Sequence, residues 1–168
     1  MFVQVFVLGV DPGLTRCGYC VLAGGQRRPR AVALGVITTS PADPVPHRLA
    51  EIQTEISSLI AEHRPAVVAI ERVLFQTNVR TAMSVGQASG VVMAQAALAG
   101  ADVIEYSPNQ VKEAVAGWGG ADKGQVQQMV QTLLELPFVP KPPDAADAAA
   151  VALCHLARHR IDLMAAPR

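Results

Sequence analysis

The hydrophobic positions of this chain fall into short unbroken runs and longer interrupted ones. Val5-Phe6-Val7-Leu8-Gly9-Val10 shows no polar alternation, which predicts a strand buried on both faces. Asp11 follows at once, and then Pro12-Gly13, a turn signal. Extended stretches over 18–22 and 31–38 are joined through Gly24-Gly25 and predict an antiparallel meander. A Pro-rich loop over 40–46 precedes a helix to about residue 63, with Leu49, Ile52, Ile56, Leu59 and Ile60 on one face. Pro65 stops that helix. Ala66-Val67-Val68-Ala69-Ile70 is a second short buried strand, and it ends in Glu71. A strand–helix–strand crossover favours a parallel neighbour, so the two strands would finish at one edge of the sheet, each in a carboxylate.

The second half is helical around a fifth strand at 103–107. A helix over about 78–100 is predicted despite its glycines, each costing about 1 kcal/mol there. Its many small residues admit a second backbone, either its own sheet or another subunit. Pro108-Asn109 opens a short helix with Val111, Ala114 and Val115 inward and Lys112 outward. Residues 118–124 read as a flexible loop, 125–136 as a helix, and Pro137, Pro140, Pro142 and Pro143 as a stiff link. A last helix spans about 144–160, with 161–168 a loose tail. The expected fold is α/β: one domain over 1–168, with a mixed five-stranded sheet flanked by helices on both faces.

Composition narrows the class. A chain of 168 residues, 51% apolar and 17% charged, suits one compact domain and excludes intrinsic disorder. No apolar stretch is long enough for a membrane span, and no basic residue precedes the first apolar run as in a signal peptide. A cytoplasmic protein is expected. Cys17, Cys20 and Cys154 make an odd count, against a disulfide framework. Cys17 and Cys20 lie on an extended run, facing opposite ways and about 10 Å apart at ~3.3 Å per residue, so they read as buried structural cysteines. Arg27, Arg28 and Arg30 read as a solvated turn. Fourteen basic and fourteen acidic residues leave no net charge, which by itself counts against a nucleic-acid binder.

The placement of the acids changes that. Asp144 and Asp147 are three apart and share a face of the last helix's first turn, where acids also serve as caps. Together with Asp11 and Glu71 they form four carboxylates on three elements, each at an element's end. Such hard oxygen ligands suit Mg²⁺ or Mn²⁺. With two cations the arrangement is the clamp used for in-line phosphoryl displacement. His155 and His159 are four apart and could bind a metal, but read first as a solvated helix terminus.

These residues carry a resemblance. The chain resembles the RuvC family of Holliday junction resolvases over nearly its whole length. The marks are Gly9-Val10-Asp11-Pro12-Gly13, Ile70-Glu71, Gly86-Gln87-Ala88, Gln110-Val111-Lys112, Lys123 with Gln125-Val126-Gln127, and Asp144-Ala145-Ala146-Asp147-Ala148. Asp-Pro-Gly or Asp-Ala-Ala-Asp alone is weak; six marks in order are specific. The resemblance implies a ribonuclease-H-like fold and metal ligation by Asp11, Glu71, Asp144 and Asp147. Two Mg²⁺ per subunit are implied, with Mn²⁺ able to substitute. Lys112 and Lys123 match the family's catalytic lysines, which contact phosphate or stabilise transition-state charge. In the loop after Glu71 an apolar side chain, Leu74 or Phe75, would wedge at the crossover. Arg72 and Arg80 are further candidate DNA contacts, although some relatives are basic where this chain has Ser89.

The resemblance also implies the activity: metal-dependent hydrolysis giving paired nicks with 5′-phosphate ends in four-way junctions, during recombination and DNA repair. It further implies a homodimer, which the helix over 78–100 would build, and cooperation with the RuvA–RuvB branch-migration complex. The bound cations, with Arg16, Arg72, Arg80, Lys112 and Lys123, would make the DNA face positive, leaving Glu51, Glu55 and Glu62 elsewhere. Three rivals stand beside it. Asp-Pro-Gly followed by Gly18 is also similar to the phosphate loop of actin-like kinases, which need a second half and a longer chain. A related nuclease acting on RNA would keep the fold. A non-catalytic junction binder would gain nothing from acids facing phosphates.

Overall fold

The computed structural model describes residues 5–25, 28–72 and 78–165. Leu74 and Phe75 lie outside the described residues, as does Arg27. The strands are β1 (Phe6–Asp11), β2 (Arg16–Ala23), β3 (Arg30–Thr38), β4 (Val67–Glu71) and β5 (Asp102–Tyr106). The helices are α1 (Val45–His63), α2 (Val79–Leu98), α3 (Pro108–Ala116), α4 (Lys123–Leu133) and α5 (Pro143–Ala165). The strand order is β3-β2-β1-β4-β5, antiparallel among the first three and parallel from β1 through β4 to β5. The sheet is therefore mixed, as the meander followed by two crossovers predicts.

Alternation along the strands decides which side chain meets which layer. Leu8, Val10, Val68 and Ile70 enter a core with Ile52 and Ile56 of α1 and Val92 of α2. Val7 and Ala69 enter the opposite core, with Val111 of α3, Val130 of α4 and Val151 of α5. Continuing the alternation by one residue turns both Asp11 and Glu71 toward the α3–α5 side. Val10 pairs with Ile70, so the two carboxylates follow side by side at the sheet's carboxyl edge. Cys17 and Cys20 fall in opposite cores, and both are free, in keeping with a structural role. Burial pushes the Cys17 thiol up to about 12 and Cys20 higher still, so neither is nucleophilic.

The helix ends follow local chemistry. Asn78 caps α2, accepting hydrogen bonds from the Arg80 and Thr81 amides. Ser107 with Gln110, and Asp122 with Gln125, form reciprocal capping boxes on α3 and α4. The second box starts α4 at Lys123, earlier than the pattern predicts, because the cap is a side chain rather than an apolar signal. Pro143 is the first residue of α5, where its missing N–H costs nothing. The helix then runs to Ala165, beyond the predicted end near 160. No helix among the described residues is long and apolar enough to cross a membrane.

α5 rests on β1 and β2 at backbone distance. A Cβ at Gly9 would lie 2.3 Å from the Ala148 carbonyl oxygen, and one at Gly18 would lie 2.0 Å from the Asp144 carbonyl oxygen. The run of alanines along α5 keeps that face thin; Ala145, Ala148, Ala149 and Ala152 are all buried. Gly9→Ala is expected to lower stability by about 1–3 kcal/mol through overpacking. It should appear as a lower urea midpoint with an unchanged slope. An unchanged midpoint would show that the contact is not tight.

Candidate metal and nucleic-acid site

Two local rules deliver the four acidic side chains. Asp11 is the last residue of the central strand and Glu71 the last of its parallel neighbour. Asp144 and Asp147 occupy the start of α5, which Gly18 lets settle against β2. The carboxylates sense one another. Burial, followed by the charges of Glu71, Asp147 and Asp144, pushes Asp11 from 3.8 up to about 8. Burial and then Asp147 raise Glu71, while Lys123 and Lys112 work against the rise. Burial also raises Asp147, against the pull of Lys123.

Two cations reach into this acidic group. Lys123 Nζ lies 2.7 Å from an Asp147 carboxylate oxygen, and Arg16 Nε lies 3.6 Å from one of Asp144. The hydrogen bond to Asp147 raises Lys123, yet Asp147 is itself raised. The two ends differ because the lysine is 64% exposed and the aspartate only 18%, so desolvation falls on the acid. Lys112, Lys123, Glu71 and Asp147 line one recess of about 260 Å³, floored by Val111, Val126 and Ala150. Lys112 therefore faces the acids rather than outward, as the helical pattern alone suggests. Val111 and Val115, the apolar stripe of α3, are buried as expected.

The donor set fits a hard divalent cation: carboxylate oxygens, of which Asp11, Glu71 and Asp147 are raised by burial and then by neighbouring charge, beside exposed ammonium and guanidinium groups. Among the described residues, however, no three His, Cys, Asp or Glu side chains are drawn into one coordination sphere. The acids share a field more than a contact, and Lys123 and Arg16 take up part of their ligating capacity.

Other expected contacts sort differently. Arg72 is exposed just past β4, its amide bonded to the Tyr106 carbonyl. Arg80 is exposed on the first turn of α2, whereas Ser89 is buried, so a basic residue at that position would not share the surface Arg80 occupies. His155 corrects the solvated-terminus reading. It is 6% exposed, its Nδ1 lies 2.8 Å from the Tyr106 hydroxyl, and its ring stacks on exposed His159. Tyr106 stands beside Glu71 in register, so this bond ties α5 to the strand edge that carries the site.

Arg48 escaped the sequence reading altogether. It is buried in the first turn of α1, where its guanidinium donates to Thr39 and Thr15 hydroxyls, both at 2.8 Å. Thr39 in turn donates to the Leu14 carbonyl. This braces the β1–β2 connection directly after Asp11. Helical periodicity registers apolar positions only, so it gave no signal for a buried arginine.

Comparison with known proteins fits this arrangement. The family model for crossover junction endodeoxyribonuclease RuvC matches residues 7–155. The chain belongs to the RuvC family. It is 51% identical over 153 residues to the crossover junction endodeoxyribonuclease RuvC of Salinispora arenicola, covering 90% of this chain and 87% of the relative. It is 48% identical to that of Alkaliphilus oremlandii, covering 90% and 92%. Among solved structures, T. thermophilus RuvC in complex with Holliday junction substrate superposes with a TM-score of 0.90 at 37% identity, covering 94% of this chain and 96% of that one. The RuvC fold is ribonuclease-H-like, so the predicted fold class holds.

The raised Asp11 carboxyl has a consequence for stability. Between about pH 4 and pH 8 the folded chain keeps a proton that the unfolded chain has lost, so stability falls as pH rises through that window. In chelator, the melting temperature is expected to drop from pH 5 to pH 8. Asp11→Asn should flatten the drop and melt higher at pH 8, by about 2–4 °C for each kcal/mol of charge burial and repulsion relieved. A variant that melts lower at pH 8 would contradict the cost of a buried, crowded charge at Asp11.

Proposed function

We propose that this chain is a junction-resolving endodeoxyribonuclease of 168 residues acting as one nuclease domain. RuvC-family nucleases are metal-dependent. In this reading Asp11, Glu71, Asp144 and Asp147 hold two Mg²⁺, which Mn²⁺ can replace. The observation that carries it is the placement of Asp11 and Glu71 at adjacent strand ends, with Asp144 and Asp147 on the helix start packed against β2 and two lysines beside them. A protein that merely bound DNA would gain nothing from acids placed against phosphates.

Cations held there would supply activation of water and stabilisation of the leaving oxygen in an in-line displacement at phosphorus. The chain's own residues do the rest. β1 and β4 hold Asp11 and Glu71 at adjacent strand ends, where packed cores on both sides prevent them from drifting. Lys123, now on Asp147, would be free to bring its ammonium to a phosphate oxygen of the strand to be cut once Asp147 served a cation. Lys112 faces the same recess and adds a second positive charge where negative charge develops. Arg16 holds Asp144 toward β2. Arg72 and Arg80 extend the basic surface past the site, and Leu74 or Phe75 supplies the apolar wedge. The products are strands with 5′-phosphate and 3′-hydroxyl ends.

A four-way junction has two strands to cut symmetrically, which calls for a two-fold dimer. α2 is the surface for it. Val79 and Met83 are 74% and 61% exposed, and Gly86 and Gly90 on the same side have nothing within 4 Å of an added Cβ. An apolar stripe with open glycines lets a second helix approach closely. Ala82, Ala88, Ser89, Val92 and Ala96 occupy the buried side of α2, so the helix packs on its own core and still has a face to offer. The same reading places the protein in the cytoplasm, in recombination and DNA repair, working with the RuvA–RuvB complex.

Incubation with a mobile four-way junction, a linear duplex and single-stranded RNA tests the activity. Symmetric nicking of the junction alone is expected, dependent on Mg²⁺ or Mn²⁺ and lost by at least about 100-fold in Asp11→Asn. Binding without cutting under every metal would overturn it, and cutting of RNA would redirect it. For the dimer, Met83→Glu should shift sedimentation to the monomer and turn paired cuts into single nicks. A variant that sediments unchanged and still cuts in pairs would remove α2 from the interface.

A further inference from the structure

The connection between α3 and α4 holds the one tryptophan of the chain, Trp118, and 57% of it is exposed. The loop around it is braced. Gly117 ends α3 in the left-handed conformation at φ 86°, its amide bonded to the Glu113 carbonyl. Ala121 is 1% exposed, anchored in the core, and its amide donates to the Trp118 carbonyl at 3.3 Å. Asp122 then caps α4. The indole lies on Gly120, where an added Cβ would come within 2.2 Å of the ring. One side of the ring is thus closed by the chain's own backbone while much of its surface stays open to solvent.

We propose that Trp118 is a stacking platform for an unpaired nucleobase of the junction strand that passes Lys123. The proposal rests on the junction-cutting reading above and adds a contact to it. Gly120 is three residues before Lys123, so its Cα is at most about 11 Å from that of Lys123. The ring therefore sits on the short connection that ends at Lys123, so one DNA strand can pass both. A branch point interrupts base stacking, so a base there is easier to unpair than one in a linear duplex. The flanking charges favour a base over a phosphate: Glu113 Oε1 lies against Gly119, and Asp122 follows at the cap. Phosphate would be repelled there, whereas the flat face of a base pairs with an indole whatever its sequence.

Because Trp118 is the only tryptophan, its emission reports the contact directly. The full-length Asp11→Asn protein, which retains the ring but does not cut, is titrated with a fluorescein-labelled four-way junction and with a linear duplex. Anisotropy reads binding, and an unlabelled copy of each DNA is used to read indole emission. The emission is expected to fall by roughly half or more at saturating junction and much less with duplex, as stacking on a base predicts. Trp118→Ala should weaken junction binding between about 5-fold and about 100-fold, and Trp118→Phe by much less, with the melting temperature of both unchanged. Gly120→Ala, which displaces the ring without deleting it, should reduce the quench. Normal junction binding with unchanged indole emission, or full affinity in Trp118→Ala, would overturn the platform and leave the nuclease reading intact. Absence of any anisotropy change with the junction would instead bring down the junction reading, and the platform with it.

Discussion

The structure depends on one close contact: α5 lying on β1 and β2 with almost nothing between the backbones. Gly9 and Gly18 leave no Cβ on the strands, and alanines line the helix. The consequence reaches the site directly. Gly18 touches the carbonyl of Asp144 itself, and Gly9 touches that of Ala148, one residue after Asp147. Helix position and carboxylate position are therefore the same variable. A larger side chain at either glycine would lift the first turn of α5 away from Asp11 and Glu71. Interiors pack too densely to absorb such a shift without cost.

The opposite requirement, holding like charges together, is met from outside the acidic group. Burial makes the ionised form of Asp11 expensive, and its neighbours make it more so. Lys123 and Arg16 answer from two different elements, each through a side chain more than half exposed. Long exposed cations can leave as readily as they arrive. A fully buried ion pair would have been more costly to separate. Neither of the two pairs is a buried salt bridge.

Support for the site comes from polar contacts inside otherwise apolar layers. Arg48 with Thr15 and Thr39 braces the turn after Asp11, and Tyr106 with His155 ties α5 to the strand next to Glu71. Both are satisfied, which is what makes burying them tolerable. They sit on opposite sides of the sheet, so the carboxyl edge is held from both faces.

Much of this was legible in the sequence. The unbroken apolar runs ending in Asp11 and Glu71, and the crossover between them, determined a parallel pair with two acids at one edge. The spacing of Asp144 and Asp147 determined that they share a helical turn, and the ordered motifs pointed to the RuvC family. Periodicity could not assign faces to strands that are apolar on both sides, so it left open that Asp11 and Glu71 turn toward α5. It misread Lys112 as outward and His155 as solvated, and it was silent on Arg48. Those outcomes are set by which element packs against which. Local pattern records how often an apolar residue recurs, while the partner of a polar side chain is chosen by residues distant in sequence. Only the tertiary structure brought Lys123 to Asp147, Arg16 to Asp144 and the glycines of two strands under the helix that carries the remaining acids.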